Sequence, residues 1–235
     1  MSGDAKRFEM RFQPASDQSL LLYFDDCISL TVHQRIAKFL KQISLNPVAG
    51  VVNLQPAYTS VLIKFDLRTT THGAVESAVR ERLRHVEDVK LPVPRLREIP
   101  VCYGGEFGPD LQEVAELHGF ATDEVVNLHS NATYTVYFLG FVPGFAYLGG
   151  LPQQLATPRL ATPRKSVPVG SVAIGGSQTG VYPASTPGGW RIIGRTPLRL
   201  FDPSAAHASL FELGDEVHFK PISSERFGRM ASQSK

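Results

Sequence analysis

Several features that would place this 235-residue chain in a functional class at a glance are scarce or missing. It has two cysteines, Cys27 and Cys102, and neither a CxxC pair nor the Cys/His spacing of a zinc site. That argues against a disulfide scaffold and a cysteine-ligated metal centre, and both thiols are expected to be reduced and buried. No stretch approaches the ~20 apolar residues of a membrane span, and the opening MSGDAKRFEM lacks an apolar core of signal-peptide length. A cytoplasmic location is the expectation. An excess of one charge is missing as well. With 24 Lys and Arg against 22 Asp and Glu, interspersed, the formal charge of +2 makes no field suited to nucleic acid or an anionic membrane. No GxxxxGK[ST], GxSxG or HExxH occurs, which disfavours a phosphate-binding P-loop and the self-contained hydrolases built on the other two motifs. No metal site is expected.

What is present reads as an ordinary globular protein, 43% hydrophobic and 20% charged, long enough for one large domain or two small ones. Phe8, Met10 and Phe12 alternate with polar residues as in a half-buried strand, and LLLYF (20–24) supplies a second. Thr31 and Gln34 stand in capping-box spacing, and Val32, Ile36, Phe39, Leu40 and Ile43 share one helical face, which predicts a helix over 31–43. Val48–Leu54 and Ser60–Phe65 read as a strand pair around Pro56. Val75, Val79, Leu83 and Val86 mark a second helix over 73–86. Strand, strand, helix, strand, strand, helix suggests a small α+β sandwich. The proline-rich LPVPRLREIP (91–100) reads as an extended linker, and the boundary falls near residue 95, giving domains of 1–94 and 95–235.

Beyond it, a short strand at Ile99–Tyr103 precedes a helix opened by Pro109 or Asp110 and stopped by Gly119, then a second helix capped by Thr122. Short runs at Tyr134–Phe138, Ser171–Ile174, Gly180–Tyr182, Trp190–Ile193, Leu198–Phe201 and Glu216–Phe219 alternate with Gly/Pro turns, the pattern of a closed β-barrel. The tail SSERFGRMASQSK is polar and expected to fray.

Chemistry-bearing residues concentrate between His129 and Pro203. His129, near a helix C-terminus, is either an acid or base at neutral pH or a charge that suits the helix dipole. FLGFVPGFAYLGGLP (138–152) sets Phe138, Phe141, Phe145 and Tyr147 among four glycines, either as pocket wall or as core and turns, with Tyr147 the ring singled out to face a ligand. Arg159 and Arg164 each follow a proline in PRLATPR; a guanidinium is a rigid donor fork for carboxylate or phosphate, and a stiff loop lowers the cost of holding it. In AIGGSQTGVYP (173–183) the N–H groups around Gly175 and Gly176 form either an anion nest or a plain hairpin. Gln178 offers an orienting amide there, and Thr179 and Tyr182 offer hydroxyls. Trp190, after Gly188-Gly189, is placed to stack on a ligand or partner, and Arg195 either holds a second anion or braces the barrel.

These motifs together, LHSNATYTVYFLGFVPGFAYLGGLP, PRLATPRKSVPVGSVAIGGSQTGVYP and TPGGWRIIGRTP, closely resemble the allophanate hydrolase subunit 1 family, and IPVCYGGEFGPDL and LGDEVHFKPI fit it too. The family includes the B subunit of 5-oxoprolinase together with a sporulation-kinase inhibitor, and is similar to part of the carboxyltransferase region of urea carboxylase. The resemblance implies an N-terminal α+β domain followed by a cyclophilin-like barrel. It implies an ATP-dependent 5-oxoprolinase that converts 5-oxo-L-proline, ATP and water to L-glutamate, ADP and phosphate. ATP would be bound together with a partner of the allophanate hydrolase subunit 2 type, the C subunit of 5-oxoprolinase, alongside a further A subunit. His129, Arg159, Arg164 and Gln178 would carry catalysis, and Tyr147, Gly175, Gly176, Thr179, Tyr182, Trp190 and Arg195 would contact substrate. Two other readings stand beside it: a regulatory protein that inhibits a sensor histidine kinase, and a carboxyltransferase-type component of a urea- or amide-metabolising complex. The polar groups at His129, Arg159 and Gln178 favour the enzyme, because an inhibitor has no need to assemble them.

Overall fold

A computed structural model describes residues 10–233. The chain is mixed α+β and divides into two compact units, one up to Val93 and one from Pro94. The first contains β1 (Arg11–Ser16), β2 (Ser19–Tyr23), α1 (Leu30–Leu45), β3 (Val51–Pro56), β4 (Ser60–Phe65) and α2 (His72–Leu83), the strands forming an antiparallel sheet in the order β1-β2-β4-β3. Strand periodicity decides which side faces the helices. Leu20, Leu22 and Phe24 with Val61, Ile63 and Phe65 all turn inward, where Ile36 and Phe39 of α1 and Val75 and Val79 of α2 meet them in one buried cluster. Pro14 and Pro56 lie on the two edge strands, where a missing N–H costs no central ladder bond.

Phe8 lies outside the described residues. Two expectations here are corrected. The cap of α1 is Ser29, whose Oγ accepts from the Val32 N–H, so the helix starts ahead of the Thr31 capping box. Cys27 is exposed, and only Cys102 is buried.

The second unit contains β5 (Leu96–Tyr103), α3 (Leu111–His118), α4 (Thr122–Asn131), β6 (Tyr134–Leu139), β7 (Ala146–Gly149), β8 (Arg164–Val167), β9 (Ser171–Gly175), β10 (Gln178–Val181), β11 (Thr186–Gly188), β12 (Arg191–Arg195), β13 (Glu216–Pro221) and α5 (Ser224–Gln233). Seven strands close a barrel in the order β10-β7-β6-β13-β5-β12-β9, with β9 returning to β10, and β8 and β11 form a separate ribbon. Among the described residues, all the pairings are antiparallel except β5 with β13. The barrel interior is filled by Val172, Ile174, Val181, Ile193, Val217 and Phe219 together with Val114 of α3 and Val125 of α4.

The structure revises the boundaries in this half. Residues from Leu96 onward, expected to be linker, are strand β5; Pro100 is tolerated because it precedes Cys102 and Tyr103, the point where β12 joins. Ala121, not Thr122, is the N-cap of α4, and the Glu124 carboxylate accepts from its N–H at 2.7 Å. Leu198–Phe201 is not a strand; Phe201 makes a single bridge to Ser209. The tail, expected to fray, is helix α5, whose Phe227 ring lies 4.5 Å from that of Phe107.

Candidate functional site

Alternation along β9 and β10 builds two surfaces from one wall. Val172, Ile174 and Val181 point into the barrel, and Ala173, Gly175 and Gly180 point out. On that outer side an aromatic cluster is seated: Phe145, Tyr182 and Trp190, with Tyr147 partly buried against them. Phe145 is its hub, with ring centroids 4.9 Å from Tyr147, 5.3 Å from Tyr182 and 5.6 Å from Trp190.

Two glycines make this possible by lacking a side chain. A Cβ on Gly175 would collide with the Trp190 indole, and one on Gly180 would press on Phe145 at 3.1 Å and Trp190 at 3.2 Å. Of the two readings open for Gly175 and Gly176, an anion nest or a plain hairpin, the structure shows the hairpin. Gly176, with φ 64°, makes the tight β9–β10 turn, and its N–H donates to the Thr157 carbonyl at 2.7 Å, so it offers no free donor. Gln178 stands across the same hairpin from Gly175.

The loop that carries Arg159 is pinned on both sides. Thr157 exchanges two backbone bonds with Gly176, the Leu160 N–H donates to Gly189 at 2.7 Å, and Arg191 Nε reaches the Pro158 carbonyl at 3.3 Å while its guanidinium pairs with Glu113. Arg159 is thereby held over the Trp190 ring, 5.8 Å from its centroid. Arg164 lies opposite Gly188 in the β8–β11 ribbon, and Gly188 lies against the Tyr182 hydroxyl. Burial raises the Tyr182 phenol above its usual pKa, against the lowering pull of a Trp190 backbone hydrogen bond and the charges of Arg159 and Arg164. Tyr147 is also raised by burial, with Arg159 opposing. Two guanidinium groups and two phenols therefore share one electrostatic neighbourhood.

Arg164 donates through Nη2 to Asp110 Oδ1 at 2.6 Å, whereas its Nη1 is shut from solvent with no hydrogen-bond partner among the described residues. An unmatched buried donor of this kind costs about 1–3 kcal/mol. Arg159 has no acidic partner among the described residues. The arrangement suits an anion bearing a flat or cyclic group: donors from the guanidinium groups, apolar faces from the rings.

Three of the foreseen residues, His129, Thr179 and Arg195, are elsewhere. His129, put forward as acid or base, is fully buried inside the barrel and stacked on Phe219 at 4.6 Å, and burial pushes its pKa down to about 3. Thr179 Oγ1 donates to the Ala173 carbonyl at 3.0 Å and so accepts from His129 Nε2 at 3.0 Å, which leaves Nδ1 to accept from the Tyr103 hydroxyl at 2.8 Å. Both ring nitrogens and Thr179 are used up, on the opposite side of the wall from the aromatic cluster. Arg195 lies with its guanidinium over Phe107, 5.8 Å from the ring centroid. A separate cavity of about 560 Å3, lined by Tyr103, Gly104, Gly108, Leu111, Thr122 and Ile222 among others, opens beside the starts of α3 and α4. Asp110 was read only as a helix start; its partner Arg164 is 54 positions away, beyond any local pattern.

Residues 10–211 match the family described as "Carboxyltransferase domain, subdomain C and D". The chain is 39% identical to the B subunit of 5-oxoprolinase from Bacillus subtilis (strain 168), covering 95% of this chain and 98% of that one. It is 43% identical to the B subunit of 5-oxoprolinase from Escherichia coli O157:H7, covering 87% and 93%. Among solved structures, a conserved uncharacterized protein of Pyrococcus horikoshii, PH0987, superposes with a TM-score of 0.56 at 46% identity, covering 92% of this chain and all of that one. TTHA0988 superposes at 0.77 and 32% identity, this chain spanning 40% of that longer one. The urea amidolyase of K. lactis superposes at 0.79 but is 20% identical, a likeness of fold alone, and this chain covers 15% of it.

Proposed function

Because the chain belongs to the family of the carboxyltransferase domain, subdomains C and D, and is similar along nearly its whole length to the B subunits of 5-oxoprolinases, we propose that it is a subunit of an ATP-dependent 5-oxoprolinase. End-to-end likeness to the Bacillus subtilis protein carries this reading, and the site is consistent with it. A five-membered lactam bearing a carboxylate has a flat face for Tyr147 and Trp190 and an anion for the Arg164 fork. The lactam is too stable for water to open unaided. Its carbonyl oxygen takes the γ-phosphoryl group of ATP and ADP departs; water attacks the activated ring carbon, the ring C–N bond breaks to leave the γ-acyl phosphate of glutamate, and a second water releases phosphate to give L-glutamate. In this chain Arg164 holds the carboxylate and Arg159, over Trp190, faces the charge that develops nearby. Buried, neutral His129 shapes the barrel and takes no proton from the substrate.

The phosphoryl donor needs more donors than these two arginines and a Gly176 N–H already spent on Thr157. ATP is therefore bound jointly with a partner of the allophanate hydrolase subunit 2 type in a barrel of cyclophilin-like kind, in the cytoplasm. The test is 5-oxoproline-dependent ADP release by the chain alone and mixed with that partner, with and without the A subunit of the complex. Turnover in the mixture and not in the chain alone is expected; no turnover in any mixture refutes the proposal.

A further inference from the structure

Asp110 occupies the N-cap position of α3, where an aspartate ordinarily accepts from the first turn's N–H groups, yet it makes no such bond. Its carboxylate is spent elsewhere. Oδ2 accepts from the Ile192 N–H at 2.6 Å, the Asp110 N–H donates to the Ile192 carbonyl at 2.9 Å, and Oδ1 takes Arg164 Nη2 at 2.6 Å. Ile192 stands at the irregularity in the β12–β9 ladder, where register shifts between Ile192 and Gly194. The side chain thus completes a strand edge and, with its second oxygen, grips a guanidinium. The aspartate is only 5% exposed, while 29% of the Arg164 side chain remains open. A buried anion fixed by a backbone amide is a rigid anchor, and it holds one arm of the fork while the other, Nη1, has no acceptor among the described residues.

We infer that Asp110 is the positioning residue of the anion site: it fixes the Arg164 guanidinium in the orientation from which it holds the substrate carboxylate. This rests on the proposed reading of the site as the place where 5-oxo-L-proline binds. Asp110 touches no substrate and acts through Arg164, which sets it apart from residues that merely stabilise the barrel.

The experiment uses the chain assembled with its partner of the allophanate hydrolase subunit 2 type and measures KM and kcat for 5-oxo-L-proline in wild type, Asp110→Asn, Arg164→Gln and the double variant. An amide has one acceptor oxygen where the carboxylate has two, so Asn must give up either Ile192 or Arg164. Asp110→Asn is expected to raise KM roughly tenfold with kcat held within about threefold. The double variant is expected to be no worse than Arg164→Gln, because the effect runs through that one side chain. A rise for Arg164→Gln with Asp110→Asn at the wild-type KM overturns this inference and leaves the site reading standing. No effect of Arg164→Gln, or no 5-oxoproline-dependent turnover by the wild-type complex, overturns both. Should Asp110→Asn fail to fold, Asp110→Glu decides: it keeps the charge on Arg164 and moves the carboxylate by one methylene. A raised KM with kcat held supports the inference, and a wild-type KM overturns it.

Discussion

Acidification should weaken the barrel through His129. Its pKa in the folded chain is about 3 against an ordinary 6.5, because a fully buried imidazole has no water to stabilise its charge. Below pH 6.5 the unfolded chain gains a proton that the folded one refuses, so stability is full above that pH and falls as acid is added, down to the folded value near 3. The slope approaches about 1.4 kcal/mol per pH unit, and the loss between pH 6 and pH 4.5 comes to about 1.9 kcal/mol from this residue. The assay is urea unfolding followed by the emission of Trp190, the one tryptophan, which belongs to the same unit as His129. His129→Gln keeps a donor and an acceptor but cannot titrate. Its free energy of unfolding starts lower at neutral pH and should run about 1.9 kcal/mol flatter over the same interval. Parallel curves for the two proteins would refute the reasoning.

Two further outcomes follow from packing and charge. Gly175→Ala, which drives a methyl into the indole, should displace Trp190, shift its emission to the red and cost about 1–3 kcal/mol; an unchanged spectrum at unchanged stability would show that the indole does not rest on β9. Asp215, 3% exposed, accepts from Arg95 Nε and Arg97 Nε at 3.1 Å and from the Glu212 N–H at 2.9 Å. Asp215→Ala should lower barrel stability by about 2–3 kcal/mol, discounted for two partly exposed arginines, and leave the KM for 5-oxoproline unmoved; a changed KM would tie that network to the site.

Regular periodicity was readable and long-range closure was not. The Val32, Ile36, Phe39 and Ile43 face led directly to α1, because a single buried side imposes its period on the sequence, and the short apolar run 20–24 led to β2. The helix starts went astray by one or two residues since Ser29 and Ala121 compete with nearby threonines, and only the backbone path decides between them. Strands β7, β8 and β11 are three or four residues long, too short to show a period. In the site, the motif residues Tyr147, Arg159, Arg164, Tyr182 and Trp190 do come together. His129 did not join them: a histidine at a helix end has the same local pattern whether it faces a ligand or the core. Nor does any spacing reveal that Gly175 is bare to seat an indole, or that Asp110 serves a strand edge and an arginine.

The parallel pairing of β5 with β13 also sets an order of events during synthesis. The barrel's first strand leaves the ribosome early and must wait until residue 221, over a hundred residues later, has followed it before its long partner exists. Until then β5 and β6 are open edges liable to pair with other chains. Closure by so distant a contact is slow. A cell making this protein therefore carries, for the time needed to translate most of the second unit, a half-built sheet whose protection from aggregation must come from translation speed or from chaperones rather than from the fold itself.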